Sequence, residues 1–130
     1  MRRLLVVGAL VLISVGSIAP SSVAKEGVVA RLLTALPRDA VPGTRAPVVW
    51  TLSLRDSGIS RPFNAEGIFV RIGGIRSSVD YAGTQRPLGR YRAVVRVPSG
   101  GIRSVRFGLM GWSSDGPAPV FFPVRGRVFR

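Results

Sequence analysis

From Arg90 to Val97 the side chains divide between two faces. Arg90, Arg92 and Arg96 fall on one side, and Tyr91, Ala93, Val95 and Val97 on the other. Successive side chains of a strand point to opposite faces, so this period of two predicts a strand with an apolar inner face and an arginine-bearing outer face. Val105, Phe107 and Leu109 alternate with Ser104, Arg106 and Gly108 in the same way. Between the runs stands Pro98-Ser99-Gly100-Gly101, turn chemistry in which glycine supplies positive φ. The expectation is a hairpin over residues 89–112.

The same alternation recurs along the chain. Val28, Ala30 and Leu32 share a face in residues 26–33. Val48, Trp50, Leu52 and Leu54 alternate with Val49, Thr51 and Ser53, and branched and aromatic residues suit a half-buried pleated surface. Trp50 is expected in the core. Ile68, Val70 and Ile72 mark another strand, closed by Gly73-Gly74, and residues 77–81 read as a short edge strand. Residues 120–124 end the pattern, with Pro123 arguing for an edge position or a bulge because it cannot donate to a ladder. Residues 37–47, 55–66, 83–88 and 113–119 read as connections, rich in Pro, Gly, Ser and Asp. Phe63, alone in its polar stretch, is expected to tuck back over the end of the core. Pro42-Gly43 fits a type II turn.

Seven strands, each with one apolar face, must stack as two sheets to bury those faces. The expected fold is all-β: a seven-stranded antiparallel immunoglobulin-like β-sandwich, preceded by a signal-peptide helix.

The leader changes the expected location. Arg2 and Arg3 precede an apolar stretch broken first by Gly8, and Ser22-Val23-Ala24 places small residues before Lys25. That is the plan of a secretory signal peptide over residues 1–24, with a domain over residues 25–130. The other reading is an uncleaved membrane anchor over residues 4–19, short of the roughly 20 residues a spanning helix needs. The domain is therefore expected outside the cytoplasm: periplasmic, cell-wall associated or secreted, or membrane-anchored and facing outward. Export permits disulfides, but the chain has no cysteine. Packing and the sheet ladders must hold the fold.

Charge narrows the partners. There are 19 Lys+Arg against 6 Asp+Glu, a formal net charge of +13, and Lys25 alone is lysine. A field of that sign favours polyanions such as phosphorylated wall polymers or anionic lipid head groups. Nucleic acid is not the expected partner of an exported chain. G+C-rich coding also raises arginine over lysine, and the arginines come singly, so a merely solvated face competes with a polyanion site.

The chain has neither histidine nor cysteine, which removes the commonest general base and the thiol nucleophile, and with them ordinary zinc and copper sites. Glu26, Asp39, Asp56, Glu66, Asp80 and Asp115 are spread along the sequence with no calcium-loop spacing, and no phosphate-binding glycine loop is present. No enzyme, cofactor or metal is expected. The candidate interaction loop is Trp112, Ser113 and Asp115, within Gly111-Trp112-Ser113-Ser114-Asp115-Gly116-Pro117. Loops carry most sites; the competing role for Trp112 is to cap the core.

Gly89-x-Tyr91, the alternating Ala93, Val95 and Val97, then Pro98-x-Gly100 and a following strand resemble the C-terminal half of bacterial extracytoplasmic immunoglobulin-like domains of the YtkA-like and CopC-like type. The Pro42-Gly43 turn before the Trp50 strand is similar to the same domains. The resemblance implies a structural role for Tyr91, its hydroxyl bonded to backbone at a corner. Copper-binding members use histidine and methionine ligands; with no histidine, and only Met1 and Met110, no copper site carries over. The expected function is an exported, non-catalytic binding or structural module of the cell envelope. It would meet an envelope protein or an anionic polymer through a loop end or sheet edge. The alternatives are a soluble polyanion binder using its arginines, or an accessory domain of a membrane assembly anchored by residues 4–19.

Overall fold

A computed structural model describes residues 27–130. The signal peptide or anchor expected over residues 1–24 lies outside the described residues. Among those described there is no helix.

Ten strands form in chain order: β1 (Val28–Leu32), β2 (Arg45–Asp56), β3 (Ile59–Pro62), β4 (Ile68–Gly73), β5 (Ser78–Ala82), β6 (Thr84–Gln85), β7 (Arg90–Arg96), β8 (Ser104–Ser113), β9 (Gly116–Phe122) and β10 (Val124–Arg125). They build two sheets. The larger has the order β10-β1-β2-β7-β6, with β3 also on β2; the smaller has the order β5-β4-β8-β9. The inner faces meet in one core. Trp50 from the larger sheet packs against Phe107 from the smaller at 5.1 Å between ring centroids, and Tyr91 stacks on Trp50 at 5.9 Å. Burial follows the alternation, with Tyr91, Ala93, Val95 and Val97 inward on one strand and Val105, Phe107 and Leu109 inward on another.

The expected hairpin over residues 89–112 does not form. β7 pairs with β2 and β8 pairs with β4, so the two strands lie in different sheets. Residues 97–103 carry the chain across the core from one to the other. Alternation marks which side chains face inward, and it does so identically for neighbours in one sheet and for strands in facing sheets. Seven connecting residues can cross a sandwich, whereas the tightest hairpins use two.

Two tight hairpins form where loops were expected. Asp56 pairs with Ile59 around Ser57 and Gly58, whose φ values of 50° and 80° suit a two-residue turn between twisted strands. Residues 55–66 therefore contain β3. Ser113 pairs with Gly116 around Ser114-Asp115, and β9 continues through Pro117 and Pro119. Those prolines are tolerated because β9 is an edge strand and their missing N–H groups cost the ladder nothing there. The stretch 83–88 likewise contains the two-residue β6.

Among the described residues the strands number ten rather than seven, and they are not all antiparallel: β10 runs parallel to β1. This pair arises because the chain changes sheets at Pro123. β9 ends in the smaller sheet, the carbonyl of Pro123 accepts the Ala30 N–H at 2.9 Å, and β10 begins in the larger. Gly83 makes the matching switch on the opposite side, between β5 and β6. A Cβ on Gly83 would lie 2.8 Å from the Trp50 ring, so the crossing strand can approach the core only as glycine.

Candidate functional site

The outer face of the larger sheet follows from register. Arg31, Arg45, Arg55, Arg90, Arg92, Arg96 and Arg125 all occupy outward positions, and all are exposed. Arg45 stands directly opposite Arg96, and Arg31 directly opposite Arg125. The other outward positions on β1, β2 and β7 hold Val29, Pro47, Val49, Thr51, Ser53 and Val94; none is a carboxylate. Like charges opposite one another destabilise a sheet, so this face carries a standing repulsion that its own side chains do not relieve.

Chemically the face is an array of guanidinium groups. Each offers a planar fork of donors that matches a phosphate or carboxylate in two-point contact. Strand spacing and the two-residue repeat set neighbouring arginine positions roughly 5–7 Å apart. The array can hold several anionic groups of one polymer at once.

Carboxylates lie elsewhere. Among the described residues two ion pairs form. Asp56 meets Arg61 at 3.6 Å on the β2–β3 ribbon, and Asp80 meets Arg71 on the outer face of the smaller sheet. The second is two-pronged, with Arg71 Nε and a terminal nitrogen donating to the two carboxylate oxygens at 2.6 and 2.9 Å. The Arg71 guanidinium, hydrogen-bonded to Asp80, holds that carboxyl below the usual carboxylate range, and partial burial opposes the shift. No cluster of acidic side chains able to hold a metal occurs among the described residues.

The residues singled out in the sequence part company. Trp112 is on β8 rather than in a loop, and is 78% exposed. Ser113 is tied into the turn: its hydroxyl donates to the Gly116 carbonyl at 3.0 Å and accepts the Asp115 N–H at 3.3 Å. Asp115 is exposed in the turn itself. Trp112 shares its outward face with Met110, and Pro119 and Pro117 stand opposite the two. Farther along that face the Phe121 ring is covered by Arg106 at 3.5 Å and Arg71 at 4.9 Å. These companions went unremarked in the sequence, although the alternation of β8 already puts Met110 and Trp112 on one side.

Tyr91 is 1% exposed. Its hydroxyl donates to the Phe63 carbonyl at 3.0 Å and accepts the Ala65 N–H at 3.3 Å, where the chain leaves β3 for β4. Phe63 itself is half-buried and meets Phe122 edge-on at 5.9 Å. Trp50 is fully buried, and its indole N–H meets no acceptor among the described residues.

The arginine face could be read in part from sequence, since Arg90, Arg92 and Arg96 stand on one side of β7. That Arg31, Arg45, Arg55 and Arg125 join them depends on which strands pair. No family model matches this chain, and no curated protein and no solved structure is significantly similar to it.

Proposed function

We propose that this chain is an exported, non-catalytic binding module of the cell envelope, and that its working surface is the arginine face of the larger sheet, which takes a polyanion. One observation carries the reading. Seven arginines share a face without a carboxylate among the outward positions of its main strands, and two arginine pairs stand directly opposite one another. Coding bias accounts for how many arginines a chain has; it does not gather them on one sheet face at a cost in stability. Features that break a local rule of sheet stability are expected at functional sites.

The fold reading is an immunoglobulin-like sandwich. Support comes from strand order: β1, β2 and β7 neighbour one another as strands A, B and E do, and β4, β8 and β9 as C, F and G do. On this reading β5 lies beside C, and β3, β6 and β10 are additions. The extracytoplasmic domains that the Gly89-x-Tyr91 motif resembles supply the setting, together with the leader-like sequence of residues 1–24.

The test is binding of a long-chain inorganic polyphosphate across a range of salt concentrations. Affinity should fall steeply with salt, because each neutralised phosphate releases a counterion. Replacing Arg31, Arg92 and Arg96 together by glutamine should reduce the slope of log affinity against log salt by about 2–3. Salt-independent binding, or a slope unchanged in the triple variant, would remove the reading.

A second reading rests on Trp112, whose exposed ring with Met110, Pro117 and Pro119 offers an envelope protein an apolar strip. Trp112→Ala would then lose a protein partner captured from envelope extract while polyphosphate binding stays unchanged.

A further inference from the structure

The two sheets do not close evenly along both sides. β6 pairs with β7 opposite Arg92 and Tyr91 and goes no further. Before it, β5 follows β4 in the smaller sheet, so a cleft opens between the β5 and β7 edges. It forms a cavity of about 500 Å3, within the range of small-molecule sites. Its walls are largely apolar, with Ile72, Val79, Tyr81, Val97 and Pro98 among them. Val79 pairs with the inward-facing Ile72 and so points between the sheets, yet it is 51% exposed. An inward apolar side chain left half in water marks a space that the fold itself does not fill.

The rim is cationic. Arg96 lines the cavity, and Arg45 stands directly across the ladder from it. Arg76 lines the adjoining hollow, which shares Ser77, Pro98 and Ser99 with the first. Among the described residues no carboxylate lines either hollow. The Tyr81 hydroxyl accepts the backbone N–H of Arg96 at 3.2 Å, which leaves its own proton to donate.

We propose that this cleft binds an amphiphilic anion, with an alkyl or acyl chain lying between the sheet edges and a carboxylate or phosphate at the rim. Arg96 and the Tyr81 hydroxyl hold the head, and Ile72, Val79 and Val97 hold the chain. Water excluded from the apolar wall supplies the drive, and the arginines select the charge. The site goes beyond the polyanion reading: Arg96 borders both, but the apolar walls take no part in the arginine face.

Free fatty acids and lipid head groups share this chemistry, so the test uses both. The full chain would be titrated, below micelle formation, with dodecanoate, with a lysophosphatidate of the same chain length, with dodecanol and with inorganic phosphate. Backbone and methyl resonances would be followed by NMR. At least one of the two amphiphilic anions should bind and shift Val79, Tyr81, Arg96 and Val97, and the tighter of them names the source. Dodecanol should bind about tenfold more weakly or worse, and inorganic phosphate should leave these resonances in place. Val79→Asp, a change at a half-exposed position, should weaken the anions about tenfold while polyphosphate binding is retained. Absence of shifts with both amphiphilic anions overturns the proposal. So does phosphate alone binding as tightly, dodecanol binding equally well, or an unaffected Val79→Asp protein. Failure of polyphosphate binding with amphiphile binding intact would sink the polyanion reading and leave this one standing.

Discussion

Tyr91 shows how much one side chain can be asked to hold. Its ring is stacked on Trp50 and its hydroxyl satisfies two backbone groups at the crossing from β3 to β4. Tyr91→Phe keeps the ring and leaves the Phe63 carbonyl and the Ala65 N–H without that partner, so it should cost about 1–3 kcal/mol in urea melts. Tyr91→Ala adds a cavity and should cost about 3–5 kcal/mol. Trp112→Ala should stay within about 0.5 kcal/mol, because an exposed ring gives up little burial. A Trp112→Ala protein as unstable as Tyr91→Ala would show that the β8–β9 hairpin turns that ring inward. The Arg71–Asp80 pair gives a pH test. Asp80 is held below its ordinary value, so its contribution is fully present above the unfolded carboxylate pKa of about 3.9 and is lost as pH falls through the lower folded value. The pair is partly exposed and worth roughly 0.2–1 kcal/mol. Asp80→Asn should therefore be less stable than the parent at pH 7 by about that amount, and the gap should close in acid below pH 4. A gap that persists there would assign the effect to packing.

At the scale of elements, alternation located the inner faces, and the stretches read as strands in the sequence all contain strands. It could not say which strands share a sheet. Residues 90–97 and 104–109 look like the arms of one hairpin because a buried face reads the same whether its neighbour lies beside it or across the core. Short pieces were missed for a different reason. β3, β6 and β10 have two to four residues each, too few to set up a period, and they exist because longer strands offer them an edge. The candidate site divided along the same line: outward arginines on β7 were visible, and their partners on β1, β2 and β10 required the pairing. Cross-strand NMR contacts give the check. Backbone contacts should join Trp50 with Tyr91 and Phe107 with Phe122, and none should join the backbones of Val95 and Val105. A ladder of contacts between β7 and β8 would restore the hairpin and undo the two-sheet assignment. Gly83→Ala tests the crossing itself. The added methyl meets the Trp50 ring at under 3 Å and should cost about 1–3 kcal/mol.

For the whole molecule the question is whether the positive charge acts as a total or as a pattern. A formal net charge of +13 would draw any polyanion from a distance, and a chain that merely carried surplus arginine would bind in proportion to that total. An array on one sheet face binds through position. Two variants with the same loss of charge separate these cases most directly. One replaces Arg31, Arg92 and Arg96 by glutamine on the larger sheet; the other replaces Arg76, Arg103 and Arg106, which lie on or beside the smaller sheet. Polyphosphate affinity is measured for both at matched salt, after melts show that both are folded. If the arginine face is the binding surface, the first variant loses about tenfold or more in affinity and the second stays near the parent. Equal losses in the two variants would show that net charge alone does the binding and would contradict the assignment of the face.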